Sequence, residues 1–463
     1  MLVNKSFSFF GREALHIMRL GIPLMIAHVA MVGLEVVDTM MAGQVSSTEL
    51  AGLAVGANIW LVIELFMGGW ISATTPRFAR LKGAGKPSEI RHEAQQAMLM
   101  ALGIGTLAML LIWSIVPLLS HLGTSPEVTE TAQSYLSIIA WGMPASGVIW
   151  VMLCLCEGCG DIRYSLGSSL IVLALNAVLD YIFVFGKFGM PAMGAVGCAL
   201  TTLSIYILWA LMGVAYIETI PEFKALKIFR SMPRLDFQRW RAIFMLGLPI
   251  SLSLLAEEGF FSVTALLIAP LGTEPLGAHQ ITLQIVALVL MLSLGLGQAT
   301  SIRLSSSIGS GKPLLAARQA KVGLTICLSY AFVFGLLIAW KPGLVISLFT
   351  KDSAIANVSL AMLVFAPLFL LIDSAQASVA QILRGFEDTK VPMLFQVFGY
   401  WCLGFPLGYS LGATDFWGES YGIYGYWSGF LAGIIVSAIL LNIRLQIMLG
   451  RLIEPATPDL LTD

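Results

Sequence analysis

Charged residues are scarce in this sequence. Only 11% of its 463 residues are Asp, Glu, Lys or Arg, and 57% are hydrophobic, with a mean hydropathy of +0.86. Soluble domains carry about 25% charged residues, so the composition excludes an ordinary soluble protein. The formal net charge is −1, which leaves no electrostatic case for a nucleic-acid partner. The chain is therefore predicted to be a membrane protein whose main partner is the lipid bilayer.

Cysteine is equally sparse and gives no sign of a disulfide framework or a metal centre. All six cysteines lie in or beside apolar runs, where the thiol behaves as a small apolar group. Cys156 and Cys159 form a C-x-x-C pair, but no second Cys or His pair is close in sequence, so we expect no metal site. Residues 1–20 lack the pattern of a cleaved signal peptide, and we expect the first helix to stay in the protein.

Recognisable catalytic and nucleotide-binding motifs are absent as well. The stretch GAGKPS at 83–88 differs from a phosphate-binding loop because Pro87 follows Lys86 directly, and we predict a helix end and a turn there. No HExxH or GxSxG motif occurs in the apolar runs. We therefore expect neither an enzyme nor an organic cofactor, and any uphill transport would have to draw on an ion gradient.

The abundant apolar residues fall into long runs. A membrane-spanning helix needs roughly 20 mostly apolar residues, and twelve runs reach that length. The fold class predicted is an all-α polytopic membrane protein. Its 12 transmembrane helices are placed at 15–41, 50–76, 94–120, 129–156, 164–186, 194–218, 243–271, 275–301, 319–343, 354–383, 391–411 and 422–449.

Positive charges are distributed unevenly between these runs. Of the 26 Lys and Arg residues, 23 lie in or beside the even-numbered loops and the two termini, and only Lys187, Lys341 and Lys351 lie on the other side. Cytoplasmic loops carry an excess of Lys and Arg. Both termini are therefore predicted to be cytoplasmic.

The two halves of the chain resemble each other. LGIP at 20–23 returns as LGLP at 246–249, and GAGKP at 83–87 returns as GSGKP at 309–313, in both cases 226 residues later. Each half contains six predicted spans, an even number, so both halves start on the same side of the membrane. Such parallel repeats are typical of transporters that bind substrate between the halves, near the membrane midplane.

The repeat sets the predicted domain boundaries. A basic stretch at 219–241 separates the two halves and has the composition of a cytoplasmic linker. We predict an N-terminal lobe at 1–218 and a C-terminal lobe at 242–463, related by a pseudo-twofold axis along the membrane normal.

Seven carboxylates lie inside the predicted spans. Each charge at mid-membrane costs about 2.5–3.5 kcal/mol even on the lenient insertion scale, so such residues face a cavity and usually carry function. No Lys or Arg lies comparably deep, which predicts bound protons or a bound cation, and an interior suited to cationic cargo. Asn176 and Asp180 are four residues apart and share a helix face. The seven acids are Glu35, Asp38, Glu64, Asp180, Glu257, Glu258 and Asp373.

Several motifs taken together resemble one transporter family, the multidrug and toxic compound extrusion (MATE) transporters, and within it the NorM-like bacterial branch. The resemblance covers nearly the whole chain. It rests on VDTMMAG (37–43), EGCGDIRYS (157–165), the stretch at 176–202, GAHQITLQI (277–285), QILRGFEDTKVPM (381–393) and YWCLGFPLGY (400–409).

The resemblance implies a V-shaped pair of six-helix lobes in the bacterial inner membrane. It implies export of organic cations and amphipathic drugs, driven by inward H+ or Na+. We separately expect the protein to be a monomer. Matched position by position, it implies a cation-coupling cluster of Asp38, Asn176 and Asp180. Thr202 and Gln284 match polar positions of the cleft, and Glu257 and Asp373 match acids of the C-terminal lobe.

Two alternatives to proton-driven export stay open. Sodium could couple through Glu257 and Asp373, although Phe369 stands where some relatives have a Tyr, and the missing hydroxyl weakens that site. A flippase for lipid-linked precursors is the second alternative, but flippases of that kind tend toward a basic cavity, whereas the carboxylates make this interior acidic.

Overall fold

The computed structural model describes residues 2–121, 123–230 and 234–453, with helices and no strand in that part of the chain. Long helices alternate with short turns, as expected where lipid offers the backbone no hydrogen-bond partners. The helices are α1 (Leu2–Val45), α2 (Ser47–Ser72), α3 (Thr74–Gly83), α4 (Pro87–Ile115), α5 (Pro126–Ile139), α6 (Met143–Gly158), α7 (Arg163–Phe185), α8 (Ala195–Thr219), α9 (Pro221–Lys224), α10 (Phe237–Ile268), α11 (Thr273–Gly309), α12 (Pro313–Trp340), α13 (Pro342–Ser347), α14 (Ser353–Leu363), α15 (Ala366–Gly385), α16 (Lys390–Val397), α17 (Phe405–Ala413) and α18 (Gly422–Ile453).

Twelve helical segments of the described chain are long and apolar enough to cross a membrane. Each overlaps one of the twelve predicted runs, so the predicted fold class, an all-α polytopic membrane protein, is confirmed. The segments are Phe9–Val45, Ser47–Gly83, Pro87–His121, Pro126–Gly158, Arg163–Phe185, Ala195–Thr219, Phe237–Leu271, Thr273–Gly309, Pro313–Trp340, Ala366–Gly385, Lys390–Ala413 and Gly422–Leu452.

The tenth predicted span was wrong in one respect. The run 354–383 is not one helix, because α14 ends at Leu363 and α15 begins at Ala366. Pro367, in the first turn of α15, has no backbone N–H and cannot continue the preceding helix. Only α15 is long enough to span the membrane.

The two GxGKP turns have the predicted geometry. Gly85 and Gly311 have φ angles of +65° and +72°, which a glycine adopts without a Cβ clash. Pro87 and Pro313 occupy the first turns of α4 and α12. The motif therefore ends one helix and starts the next, as predicted.

The chain forms two compact units whose boundaries fall inside helices. The unit called the N-unit here comprises Ile26–Ser251, and the C-unit comprises Met1–Met25 with Leu252–Asp463. The first 25 residues thus belong with the second repeat, and the start of α10 belongs with the first. These boundaries differ from those of the sequence repeats, 1–218 and 242–463, because the ends of α1 and α10 are exchanged.

The exchanged helix ends pack in the same way in both units. A Cβ on Gly21 would lie 2.7 Å from Leu296, and a Cβ on Gly247 would lie 2.1 Å from Trp70. Gly247 follows Gly21, and Leu296 follows Trp70, by the 226-residue offset of the repeat, so the two contacts are equivalent. Glycine at these positions lets one helix lie directly against its neighbour.

The DIR segment at 161–163 and the DTK segment at 388–390 each contain an aspartate that pairs with an arginine. Asp161, 6% exposed, accepts hydrogen bonds from Arg163 and from Tyr216 at 2.8 Å, and Asp388 accepts one from Arg444 at 2.6 Å. Burial alone would raise the pKa of Asp161, but the bonds from Arg163 and Tyr216 outweigh it and hold the pKa below its usual range. These acids are structural.

We predict that Gly429→Ala destabilises the C-unit. A Cβ at this position would lie 2.3 Å from the Gly408 Cα, so α17 and α18 would have to separate. Overpacking of this kind costs about 1–3 kcal/mol, seen as a lower melting temperature of the detergent-purified protein. Gly103→Ala, which meets nothing within 4 Å, is the control. Equal melting of both variants would show that the close approach is dispensable.

Candidate functional site

In the N-unit, three helices bring together the polar residues predicted for ion coupling. Asp38 lies on α1, Asn176 and Asp180 lie on one face of α7, and Thr202 lies on α8. The Asn176 Nδ2 donates to Asp38 Oδ1 at 2.9 Å, and the Thr202 hydroxyl lies 3.5 Å from Asp38 Oδ2. The Thr202 hydroxyl also lies 3.0 Å from the Cys198 carbonyl oxygen, which is the better acceptor for its single proton.

Asp180 is the most deeply buried member of this cluster. Its side chain is 0% exposed, and neither carboxylate oxygen has a hydrogen-bond partner among the described residues. A buried polar group without partners carries a large desolvation cost and calls for an explanation. The Oδ1 of Asn176, itself 1% exposed, is also without a partner.

The cluster contains three groups that could hold a small cation. The carboxylates of Asp38 and Asp180 and the thiol of Cys198 place their ligand atoms within 4.8 Å of one another. The strongest electrostatic interactions of Asp38 and Asp180 are with each other and with neutral or acidic groups, not with a lysine or arginine. Among the described residues, no lysine or arginine contributes to this site, so its charge depends on how many protons the two carboxyl groups hold.

The two other acids of the first and second spans have different surroundings. Glu35 is exposed on α1 and interacts electrostatically with Asp38. Glu64 on α2 accepts hydrogen bonds from the Ser146 hydroxyl at 2.5 Å and the Trp150 ring at 2.9 Å. Neutral donors on α6 thus stabilise Glu64, which is consistent with a packing role.

In the C-unit, Glu257 on α10 and Asp373 on α15 lie close enough to interact electrostatically. Asp373 is 1% exposed, and its Oδ1 has no hydrogen-bond partner among the described residues. Tyr400 interacts with both acids and accepts a hydrogen bond from Gln376. Glu258, next to Glu257, is half-buried.

Tyr400 is positioned by a π-helical segment. The chain widens into a π-helix from Phe398 to Gly404, an uncommon geometry that is frequent at functional sites. The Tyr400 ring stacks on Phe260 at 5.4 Å, and the Trp401 ring nitrogen donates to the Ala256 carbonyl at 3.0 Å. The π-helix therefore packs against the part of α10 that carries Glu257.

One expectation about these acids was wrong. We expected no Lys or Arg near the intramembrane carboxylates, but the half-buried guanidinium of Arg384 interacts with Glu257. Arg384 lies at the end of α15, so the sequence predicted a position at the membrane boundary for this residue. Its guanidinium nevertheless interacts electrostatically with Glu257.

The structure also places two further positions singled out in the sequence, Gln284 and Phe369. Gln284 on α11 is exposed. Phe369 is 1% exposed, and its ring lies 5.4 Å from that of Trp427. A tyrosine hydroxyl at position 369 would thus enter a packed aromatic cluster.

Sequence reasoning missed three residues that contribute to these sites. Cys198 lies four residues before Thr202, and Gln376 lies three residues after Asp373, so helical spacing could have identified both. Tyr400 carried no such signal, since the π-helix that directs it is not apparent from the residue pattern.

Comparison with known proteins agrees with the repeat. The MatE family model matches residues 23–182 and 249–410, two matches that begin 226 residues apart. Four of the candidate residues, Asp38, Asn176, Asp180 and Thr202, form the N-unit cluster, and the first match contains all but Thr202.

Relatives of similar length match along nearly the whole chain. The chain is 36% identical over 441 residues to the probable multidrug resistance protein NorM of Shewanella oneidensis, covering 94% of this chain and 95% of the relative. It is 35% identical over 434 residues to the multidrug resistance protein PmpM of Pseudomonas aeruginosa, covering 94% and 91%.

Solved structures share the fold. The crystal structure of MATE in complex with MaL6 superposes with a TM-score of 0.85 at 19% identity, covering 95% of this chain and 97% of that one. A MOP superfamily transporter from Pyrococcus furiosus, described as having a binding pocket of reverse polarity, gives 0.84 at 20% identity, covering 95% and 96%. The family model, the relatives and the twelve-helix fold together show that this multi-pass membrane protein belongs to the MatE family of multidrug transporters.

Proposed function

We propose that this protein is a secondary active multidrug exporter of the bacterial inner membrane, with both termini in the cytoplasm, that exchanges organic cations for inward-moving H+. The observation that carries this proposal is the pair of half-buried Asp38 and buried Asp180, which has no basic partner among the described residues. The names of the relatives, multidrug resistance proteins, support drugs as the cargo.

The electrostatics of the pair favour a shared proton. Two charges 4.8 Å apart, the upper limit for the ligand atoms here, repel by about 3.5 kcal/mol at an effective dielectric constant of about 20. Two such anions cannot both ionise cheaply in a buried site, so one proton bound between them removes most of this energy. Asn176 donates to Asp38 and holds that carboxylate in place.

The C-unit pair offers a weaker case for ion coupling. Arg384 interacts electrostatically with Glu257, although no salt bridge joins them among the described residues, so a bound cation has less to compensate there. Sodium coupling through Glu257 and Asp373 remains the alternative to proton coupling.

Proton binding would couple to export through α1. Protonation of the pair changes the contacts between Asp38 and the α7 face, while deprotonation makes the space anionic and attractive to an organic cation. Only a difference in affinity between the two states can drive the cycle. Pro23 interrupts the hydrogen bonds of α1 and gives this helix a place to bend.

An acidic interior also distinguishes drug export from lipid-precursor flipping. A pyrophosphate-linked lipid needs basic side chains, whereas the deepest N-unit groups are carboxylates. We propose that the protein works as a monomer, without an organic cofactor or a resident metal, and that it catalyses no reaction.

We predict that Asp38→Asn abolishes efflux driven by a pH gradient. The experiment measures ethidium efflux from vesicles of wild type and variant, with a proton gradient and a sodium gradient imposed separately. An exchange of one proton for one monovalent cation moves no net charge, so ΔpH alone should drive the wild type. Asn keeps the shape of Asp38 and its hydrogen bond but cannot carry the proton.

Asp373→Asn is the matched variant in the C-unit. Proton coupling through the N-unit predicts that this variant retains ΔpH-driven efflux. Efflux that requires sodium, survives in Asp38→Asn and disappears in Asp373→Asn would move the coupling site to the C-unit.

A second prediction concerns the balance of charge in the C-unit. Glu257→Gln removes an electrostatic attraction to Arg384 that no salt bridge among the described residues reinforces, and it should lower stability by less than about 1 kcal/mol. Arg384→Met should change stability less in this variant than in wild type, because the attraction is already gone. The melting temperatures of both single variants and the double variant form a cycle, and strictly additive shifts would show that the two residues do not interact.

A further inference from the structure

A buried acid near the start of α1 holds that helix end in the C-unit. Glu13 is 6% exposed, and its Oε1 accepts hydrogen bonds from Arg303 on α11, at 2.9 and 2.6 Å, and from Gln319 on α12, at 2.9 Å. Gln319 in turn accepts a hydrogen bond from the Ser307 hydroxyl at 2.7 Å. Acid and arginine balance each other, so this contact adds no net charge.

A second polar cluster holds the start of α10 in the N-unit. Glu93 on α4 is 0% exposed and accepts hydrogen bonds from Arg77 on α3 and, at 3.0 Å, from Arg239 on α10. Arg239 also pairs with Glu89 and, at 3.2 Å, with Asp236.

The two clusters occupy equivalent positions in the repeats. Adding the 226-residue offset converts Glu13 into 239, Arg77 into 303 and Glu93 into 319. Position by position, the C-unit set is Glu, Arg and Gln, whereas the N-unit set is Arg, Arg and Glu. The contact is therefore retained in both repeats, but the acid sits on the exchanged helix in one and on its neighbour in the other.

Each exchanged helix continues from its cluster to a proline and then to a carboxylate. Pro23 follows Glu13 by ten residues, and Pro249 follows Arg239 by the same number, a distance of about 15 Å along a helix. Beyond these prolines, α1 carries Asp38 and α10 carries Glu257. A helix fixed at its start and weakened at a proline can rearrange only beyond that proline.

We propose that Glu13, with Arg303 and Gln319, and Arg239, with Arg77 and Glu93, are two equivalent anchors that position α1 and α10 for the transport cycle. Their residues touch neither the coupling ion nor the drug. They fix the helix ends so that rearrangement at the carboxylates is transmitted to the rest of each unit. The effect on transport rests on the proposed function, whereas the interchangeability of the anchors does not.

The repeat itself provides the test, an exchange of charge sets. Glu13→Arg places two arginines beside neutral Gln319, and Gln319→Glu places two acids beside one arginine. Each single variant should lose roughly tenfold or more in maximal efflux rate, since coupled buried charges interact strongly. Glu13→Arg combined with Gln319→Glu rebuilds the Arg, Arg and Glu set of the N-unit, without counterparts of Glu89 and Asp236, and should recover most of the efflux rate that the single variants lose.

Three measurements distinguish a role in positioning α1 and α10 from a general loss of folded protein. Equilibrium binding of ethidium to the purified variants should stay near the wild-type value while the efflux rate falls, and the melting temperature should fall in the single variants and recover in the double variant. Lys321→Gln, an exposed change of one charge unit two residues from Gln319, is the control and should leave all three unchanged.

Glu13→Gln covers the case in which Glu13→Arg does not fold, because it keeps an acceptor for Arg303 and should give an intermediate efflux rate. A double variant as defective as the singles in melting and efflux, or a single variant that transports at the wild-type rate, would overturn the proposal. If wild type exports no dye, the proposed function fails, while recovery of melting in the double variant still tests the anchors.

Discussion

A charge that leaves water must find compensation inside the protein, and the described helices are arranged around that requirement. Glu13 and Glu93 are balanced by arginines, and Glu64 is stabilised by neutral donors. Asp180 has neither kind of partner. Natural proteins leave a buried acid uncompensated mainly where function requires it. At Asp180 a bound proton or cation would supply the positive charge that the protein does not.

Gene duplication explains why compensation takes related forms in the two units. The repeat supplies a glycine contact, a polar anchor and a proline at matched positions of α1 and α10. The residues that carry charge within these matched positions differ, as the anchors and the two carboxylate pairs show. A duplicated scaffold can thus hold two unlike ion environments, one around Asp38 and Asp180 and one around Glu257, Asp373 and Arg384.

Much of the fold could be predicted because a bilayer imposes length and hydropathy on each helix. The prediction failed where a local break or a long side chain decided the outcome. The run 354–383 is apolar throughout, and hydropathy alone did not register the break before Pro367. Arg384 lies near a helix end, where arginine ordinarily reaches toward water, yet it interacts with Glu257.

The sequence by itself determined the twelve spans, the repeat, the turn glycines and the helix faces that carry Asn176, Asp180 and Asp373, since each depends on composition or on spacing within one helix. Only the tertiary structure decided which faces meet. Asp38 and Asn176 are 138 residues apart and still form a 2.9 Å hydrogen bond. The Cys198 thiol beside the two acids, the π-helix that directs Tyr400 and the exchanged ends of α1 and α10 likewise arise from packing between helices, which no local pattern of residues specifies.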